Sequence, residues 1–217
     1  MSLEAKDLYA ALMHELKNNL GLLAMAMERI PRQETEVHDR SLDDARLLCQ
    51  QVIERLRQSL LLYKTADRAM PIEVDAYSPL EFLHEVRDET ASLARGRLQV
   101  SAAVDDEVPP IWFFDRNLVD IALTNAIHNS LAYARSRIDI RAGMTDGMLC
   151  ITVSDDSDGY PAHLLNALSL DAPLGSGGTG LGLQLSQMIA QAHSNRGRTG
   201  ELRLANVPGA AFSILLP

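Results

Sequence analysis

Four stretches of this sequence carry residue types that can do chemistry. The first centres on His14. With Met13 at heptad position a and Leu16 at d, His14 falls at b, turned away from the apolar stripe. An exposed neutral imidazole is a nucleophile near pH 7. Glu15 beside it can hold the ring tautomer and take up a proton. Asn18 lies four residues on, on the same helix face. Taken alone, this stretch is better explained as an ordinary solvated histidine. The second is the pair Asn125 and Asn129, four apart on a helix expected over 115–134. Their carbonyls are hard oxygen ligands of the kind that suits Mg²⁺. The bland alternative is two surface asparagines.

The third stretch is VSDDSDGYP at 153–161, following a strand expected over 149–153. An aspartate at a strand end, followed by a glycine turn, can accept a hydrogen bond from an exocyclic amine. Taken alone, the stretch is better read as an acidic surface turn. The fourth is GSGGTGLGL at 175–183, with five glycines in eight positions, running into a helix over 184–192. Glycines let backbone N–H groups approach phosphates closely, and a helix N-terminus adds partial positive charge. A flexible linker rarely runs straight into an amphipathic helix. No Gly-Lys-Ser/Thr follows, so it is not a Walker loop. It lies late in the chain, so it is not a Rossmann turn.

The elements that must position these residues differ between the two parts of the chain. Tyr9, Leu16, Leu23 and Ile30 recur every seven residues, with Met13, Leu20 and Met27 between them. Leu42, Cys49, Leu56 and Tyr63 recur every seven, with Ala45 and Val52 at +3. These spacings predict a helical hairpin over 1–66 that turns at Pro31 and the polar run after it. Two such helices expose too much apolar surface alone, so a homodimeric four-helix bundle is expected. Beyond residue 66 the glycine and proline content rises, which puts a boundary near 65–71. Period-two alternation at Leu98–Val104, Ile111–Phe113, Ile138–Ile140, Leu149–Val153, Leu202–Leu204 and Phe212–Leu216 predicts strands. Helices are expected at about 79–95, 116–134 and 181–193. Strands with helices on one face make a two-layer α/β sandwich over 72–217, so the fold class is α+β.

Composition narrows the function. The chain has 217 residues, 47% of them hydrophobic and 23% charged, enough to bury a core. Its net charge of −9 disfavours nucleic acid, which needs clustered cations. No apolar run reaches the roughly 18 residues needed to span a bilayer, and no signal peptide opens the chain. Cys49 and Cys150 stand far apart, outside any metal-ligand spacing, which favours a reducing, cytoplasmic setting. His38, His84, His128, His163 and His193 share no ligand spacing and read as surface or helix residues.

In order and spacing, the four stretches resemble the core of bacterial sensor histidine kinases. HELKNNL at 14–20 is similar to that family's phosphoacceptor box, TNAIHNSLAY at 124–133 to its asparagine box, DDSDG at 155–159 to its first glycine box, and GTGLGL at 178–183 to its second. The closing GAAFSILLP is similar to its last strand. The resemblance covers essentially the whole chain: a dimerisation and phosphotransfer hairpin, then the ATP-binding domain shared with DNA gyrase. It implies that His14 receives a phosphoryl group, that Glu15 assists as base, and that Asn18 orients water when a partner is dephosphorylated. It implies Mg²⁺ on Asn129, helped by Asn125, and Tyr133 flanking adenine. Asp155 would bind the adenine amine in the turn closed by Gly159, with Gly178, Gly180 and Gly182 around the phosphates. Asn19 stands where the family usually has proline, Ala132 where it often has Lys or Arg (with Arg135 nearby as a substitute), and Ser157 where it has its first glycine. The lid, about 160–177, is short and has no phenylalanine.

The function so implied is an ATP- and Mg²⁺-dependent protein-histidine kinase. It would phosphorylate and dephosphorylate a response regulator's receiver domain and take its signal from a separate sensor protein or a missing N-terminal region. The alternative is a histidine phosphotransferase relaying phosphoryl groups between regulators, with a degenerate, non-catalytic ATP-binding domain. A third reading is an ATP-gated dimer switch in which His14 is incidental.

Overall fold

The computed structural model describes residues 70–169 and 180–217, together with residues 15, 16, 18, 19, 21–23, 25, 45, 52 and 61. The chain divides into two compact units, Met1–Arg68 with Ser176–Leu181, and Ala69–Gly175 with Gly182–Pro217. In the first unit every described residue is helical. The heptad hairpin and its dimer seam fall mostly outside the described residues, as does His14. Asn18 is exposed and Asn19 is buried.

In the second unit, alternation writes the sheet. β1 (Asp75–Tyr77) is followed by α1 (Pro79–Ala94), β2 (Gln99–Val104), β3 (Trp112–Phe114) and α2 (Arg116–Tyr133). Then come β4 (Arg137–Thr145), β5 (Met148–Asp155), α3 (Ala162–Ser169) and α4 (Gly180–Ala192). The chain ends with β6 (Ser194–Asn195), β7 (Arg198–Thr199), β8 (Glu201–Asn206) and β9 (Ala210–Leu216). Five strands form one mixed sheet in the order β2-β4-β5-β9-β8, with β2 parallel to β4 and the other pairs antiparallel.

The register explains the layers. Ile140 pairs with Val153, Ala142 with Ile151, Ile151 with Ile214 and Val153 with Phe212. All these side chains are buried on one face, as period-two geometry requires. Asp139, Arg141, Thr152 and Ser213 take the other face. There Thr152 and Ser213 join hydroxyls at 2.8 Å across the β5–β9 pair. Helix α2 meets the apolar face through Leu118, Val119, Ala122, Leu123, Ala126, Ile127 and Leu131, a stripe of period 3.6. Helices and sheet thus make the expected two-layer sandwich.

Local chemistry sets the ends. Ser78 caps α1 by accepting from the Glu81 N–H at 3.3 Å, with Pro79 in the first turn. Asp115 caps α2 by accepting from the Leu118 N–H at 3.0 Å. Asp146 and Gly147, both at positive φ, make the two-residue turn from β4 to β5. A Cβ at Gly200 would overlap the Ala190 carbonyl oxygen, so only glycine lets α4 lie this close to β8. Four features were not anticipated from the sequence: β1, the β6–β7 hairpin, α3 inside the expected lid, and the place of His193.

The expectation for His193 is corrected. It is neither a surface residue nor a simple helix residue, but buried beyond the end of α4. Its Nε2 accepts from the Asp115 N–H at 3.0 Å, while Nδ1 lies 2.8 Å from the Ile189 carbonyl oxygen. The first bond requires a bare Nε2, so Nδ1 carries the hydrogen and donates to Ile189. Asp115 in turn accepts from the Glu73 N–H at 2.8 Å. The imidazole therefore ties α4 to the start of α2. Burial pushes its pKa below the ordinary 6.5, against the opposing pull of the Ile189 carbonyl and the Asp115 charge.

Because the unfolded chain binds this proton first, stability is full above about pH 6.5 and falls as pH drops below it. Denaturant melts at stepped pH values are expected to show this loss. His193→Gln should cost about 1–3 kcal/mol at pH 7 by leaving a buried donor unmet. It should also flatten the slope below pH 6.5, and a slope equal to the wild type's would contradict the assignment.

Candidate functional site

The site is built at the end of β5, where the sheet stops and the chain must turn. Asp155 is the last residue of β5 and is only 5% exposed. Pairing with Ile138 turns it toward the helices. Its Oδ1 accepts from the Ser157 N–H at 2.9 Å and from the Ala210 N–H at 3.3 Å. Its Oδ2 accepts from the Ser130 hydroxyl on α2 at 2.6 Å. Turn, last strand and helix thus converge on one carboxylate. A Cβ at Gly209 would overlap the Asp155 carbonyl oxygen, so glycine is required where β9 begins.

The turn itself is laced by side chains. The Gly159 N–H donates to the Ser157 hydroxyl at 3.2 Å. Serine therefore does local work at the position where the resemblance leads one to expect glycine, and it needs no positive φ. Gly159 does adopt φ +85°, and a Cβ there would come within 2.6 Å of the Asn206 side chain. Asn206 accepts from the Tyr160 N–H at 2.7 Å and donates to its carbonyl at 3.0 Å, strapping the turn to β8. Burial, and then the Asp155 charge, push the Tyr160 phenol above its usual range. The phenol therefore stays protonated beside the carboxylate.

Asp156 faces the other way and holds the turn after α2. It accepts from the N–H groups of Arg135 at 2.8 Å and Ser136 at 3.0 Å, and from the Ser136 hydroxyl at 2.5 Å. These bonds, the hydroxyl foremost, hold its carboxyl well below the ordinary carboxylate range. Arg135 pairs with Asp158. The guanidinium of Arg135, the residue expected to stand in for a phosphate-contacting cation at Ala132, thus pairs at the 155–159 turn.

Asn125 and Asn129 both lie half-buried on α2, one turn apart. A Cβ at Gly182 would overlap the Asn125 amide, so the two elements meet at glycine. Among the described residues, the buried Asn125 Nδ2 has no hydrogen-bond partner. Such a donor costs free energy unless a ligand oxygen meets it, so the residues fit a phosphate at this seam. Half-buried amide carbonyls are hard oxygen donors of the kind that would suit a hydrated Mg²⁺. Tyr133, at the end of α2, is 67% exposed. Gly180 opens α4, and Gly178 lies outside the described residues with the rest of 170–179.

The structure thus groups Asp155 and Gly159 at the turn, and Asn125 and Gly182 at the helix seam. The sequence did not reveal Ser130, Tyr160, Asn206, Gly209 or Ala210. Each acts through a partner distant in the chain, 25 residues away for Ser130 and 55 for Ala210. The glycine opening the last strand is the one local signal among them.

Comparison with known proteins agrees with this geometry. Residues 114–217 match the family described as histidine kinase-, DNA gyrase B-, and HSP90-like ATPase. Sensory histidine kinase/phosphatase NtrB of Escherichia coli O157:H7 is 27% identical over 237 residues, covering 98% of this chain. The chain spans 62% of that relative's length. Signal transduction histidine-protein kinase AtoS of Escherichia coli (strain K12) is 26% identical over 226 residues, covering 97% of this chain and 34% of its own. Among solved structures, Acinetobacter baumannii histidine kinase AdeS superposes with a TM-score of 0.61 at 17% identity, covering 94% of this chain and 96% of that one. Full-length ShkA in complex with AMPPNP gives 0.65 at 16%, covering 99% and 46%. Residues 114–217 therefore match the histidine kinase-, DNA gyrase B- and HSP90-like ATPase family, in a chain that resembles the core of bacterial sensor histidine kinases over nearly its whole length.

Proposed function

We propose that this chain is the catalytic core of a two-component protein-histidine kinase, with an ATP-binding domain over 72–217 and a dimeric phosphotransfer hairpin over 1–66. The observation that carries the reading is the Asp155 carboxylate. It is buried, held by three protein donors, and set at the end of a strand in an ATPase-family domain. It accepts the adenine amine, while Tyr160 and Gly159 shape the turn and Tyr133 covers the base. Asn125 and Asn129 meet the phosphates, and Gly178, Gly180 and Gly182 let backbone N–H groups close around them. Mg²⁺ held through Asn129, when bound, neutralises charge on the transferring phosphoryl group.

In the transfer, a bond forms between a His14 imidazole nitrogen and the γ-phosphorus. The bond from that phosphorus to the ADP oxygen breaks, and Glu15 takes the imidazole proton. The phosphoryl group then passes to an aspartate of a response regulator. Asn18 lies four residues after His14 in the sequence and is exposed, so its amide can align water for hydrolysis of the regulator's aspartyl phosphate, which releases inorganic phosphate. The similarity of nearly the whole chain to NtrB and AtoS supports the signalling role over a relay with an inert nucleotide domain.

Two measurements test this reading. Asp155→Asn should weaken Mg²⁺-dependent ATP binding by about 1.5–3 kcal/mol, the range for a charge-assisted hydrogen bond. Calorimetry showing unchanged tight binding would remove Asp155 from the site. Incubation with γ-labelled ATP should give an acid-labile label that His14→Gln abolishes without loss of ATP binding. A label persisting in His14→Gln would place the acceptor elsewhere.

A further inference from the structure

Ser130 is a buried polar residue on the packed face of α2, 4% exposed, next to the apolar Leu131. A helix does not need it there. Serine is a weaker helix former than alanine, and its hydroxyl commonly bonds back to the carbonyl four residues earlier. Here the hydroxyl points out of the helix and donates to Asp155 Oδ2 at 2.6 Å.

The bonds on Asp155 leave a definite remainder. A carboxylate oxygen accepts about two hydrogen bonds. Oδ1 already takes two, from the Ser157 and Ala210 N–H groups. Among the described residues Oδ2 takes one, from Ser130, so the acceptor position these residues leave on the carboxylate is on Oδ2. Serine has a single hydroxyl hydrogen, and it is committed to the same oxygen. The carboxylate therefore offers a base an acceptor, while the serine offers it no donor. It also meets it in a fixed plane, because the carboxylate is bonded on both oxygens.

We propose that Ser130 is a positioning residue that makes the Asp155 site select a 6-aminopurine nucleotide over a 6-oxopurine one. The inference rests on the ATP-site reading above and deepens it. A 6-amino group donates to the open position on Oδ2. A 6-oxo group presents an acceptor to the same carboxylate and is repelled. Without the Ser130 hydroxyl, Oδ2 loses the bond that fixes its direction, and the contact with the amine is misaligned. A 6-oxo nucleotide never made that contact and has nothing to lose.

The test is competition binding on the full chain with Mg²⁺, using ATP and inosine triphosphate, which differ at the purine C6 position. The wild type should prefer ATP. Ser130→Ala should weaken ATP about tenfold and leave inosine triphosphate within about twofold, the size expected for one misaligned charge-assisted bond. Ser130→Cys keeps the volume but donates weakly, so its ATP affinity should lie between those of the wild type and Ser130→Ala. It also carries the test if Ser130→Ala fails to fold. Thr90→Val removes a buried hydroxyl on α1 that donates to the Val86 carbonyl, and should leave both affinities unchanged. Adding Ser130→Ala to Asp155→Asn should cost nothing further. Wild-type ATP affinity in both Ser130 variants, or equal weakening of both nucleotides, would overturn the proposal. A wild type that takes up no ATP would overturn the nucleotide-site reading and this inference with it.

Discussion

One buried carboxylate organises the end of β5 in this domain. A carboxyl group in a nearly dry site is tolerable only if hydrogen-bond partners surround it, and the fold supplies three donors from three different elements. The Ser157 N–H requires the chain to double back at once after β5. The Ala210 N–H requires β9 to start beside that turn, which Gly209 permits by lacking a Cβ. The Ser130 hydroxyl requires α2 to cross the strand end at this height. Removing any one donor leaves a charge in low dielectric, so the site and the local fold hold each other in place.

The rest of the domain sets those three elements at the right distance. The sheet face of Ile138, Ile140, Ile151, Val153, Phe212 and Ile214 is fully apolar and fixes the height of α2 above it. Two polar ties then align the layers along their length. His193 links the end of α4 to the cap of α2, and the Trp112 indole N–H donates to the Leu216 carbonyl at 3.2 Å. Phe114 packs between Tyr77 and Phe82, with ring centroids at 5.3 and 5.4 Å, so the small β1–β3 ribbon is anchored to α1. Asp156, adjacent to the central carboxylate, spends its oxygens on the turn after α2. Neighbouring aspartates thus divide the work of holding the helix and presenting an acceptor.

What the sequence revealed follows the range of the forces. Period and alternation are local, and helices expected at 79–95, 116–134 and 181–193 appear at Pro79–Ala94, Arg116–Tyr133 and Gly180–Ala192. The strands over 99–104, 137–155 and 201–216 were legible for the same reason. The β6–β7 hairpin was not, because its two-residue strands carry no alternation to read, although Arg196–Gly197 makes a tight two-residue turn. Asp155 was legible because a strand end followed by a glycine turn is a local pattern. Ser130 was hidden inside an amphipathic stripe, and His193 inside a helix end. Their partners lie 25 and 78 residues away in the chain, and no spacing rule connects them.

The most direct test of the central claim is a crystal structure of the full chain with Mg²⁺ and a non-hydrolysable ATP analogue. The adenine amine should lie within hydrogen-bond distance of Asp155 Oδ2, with the Ser130, Ser157 and Ala210 donors still in place. An adenine bound away from Asp155, or an Asp155 that has released those donors to admit the base, would contradict the account.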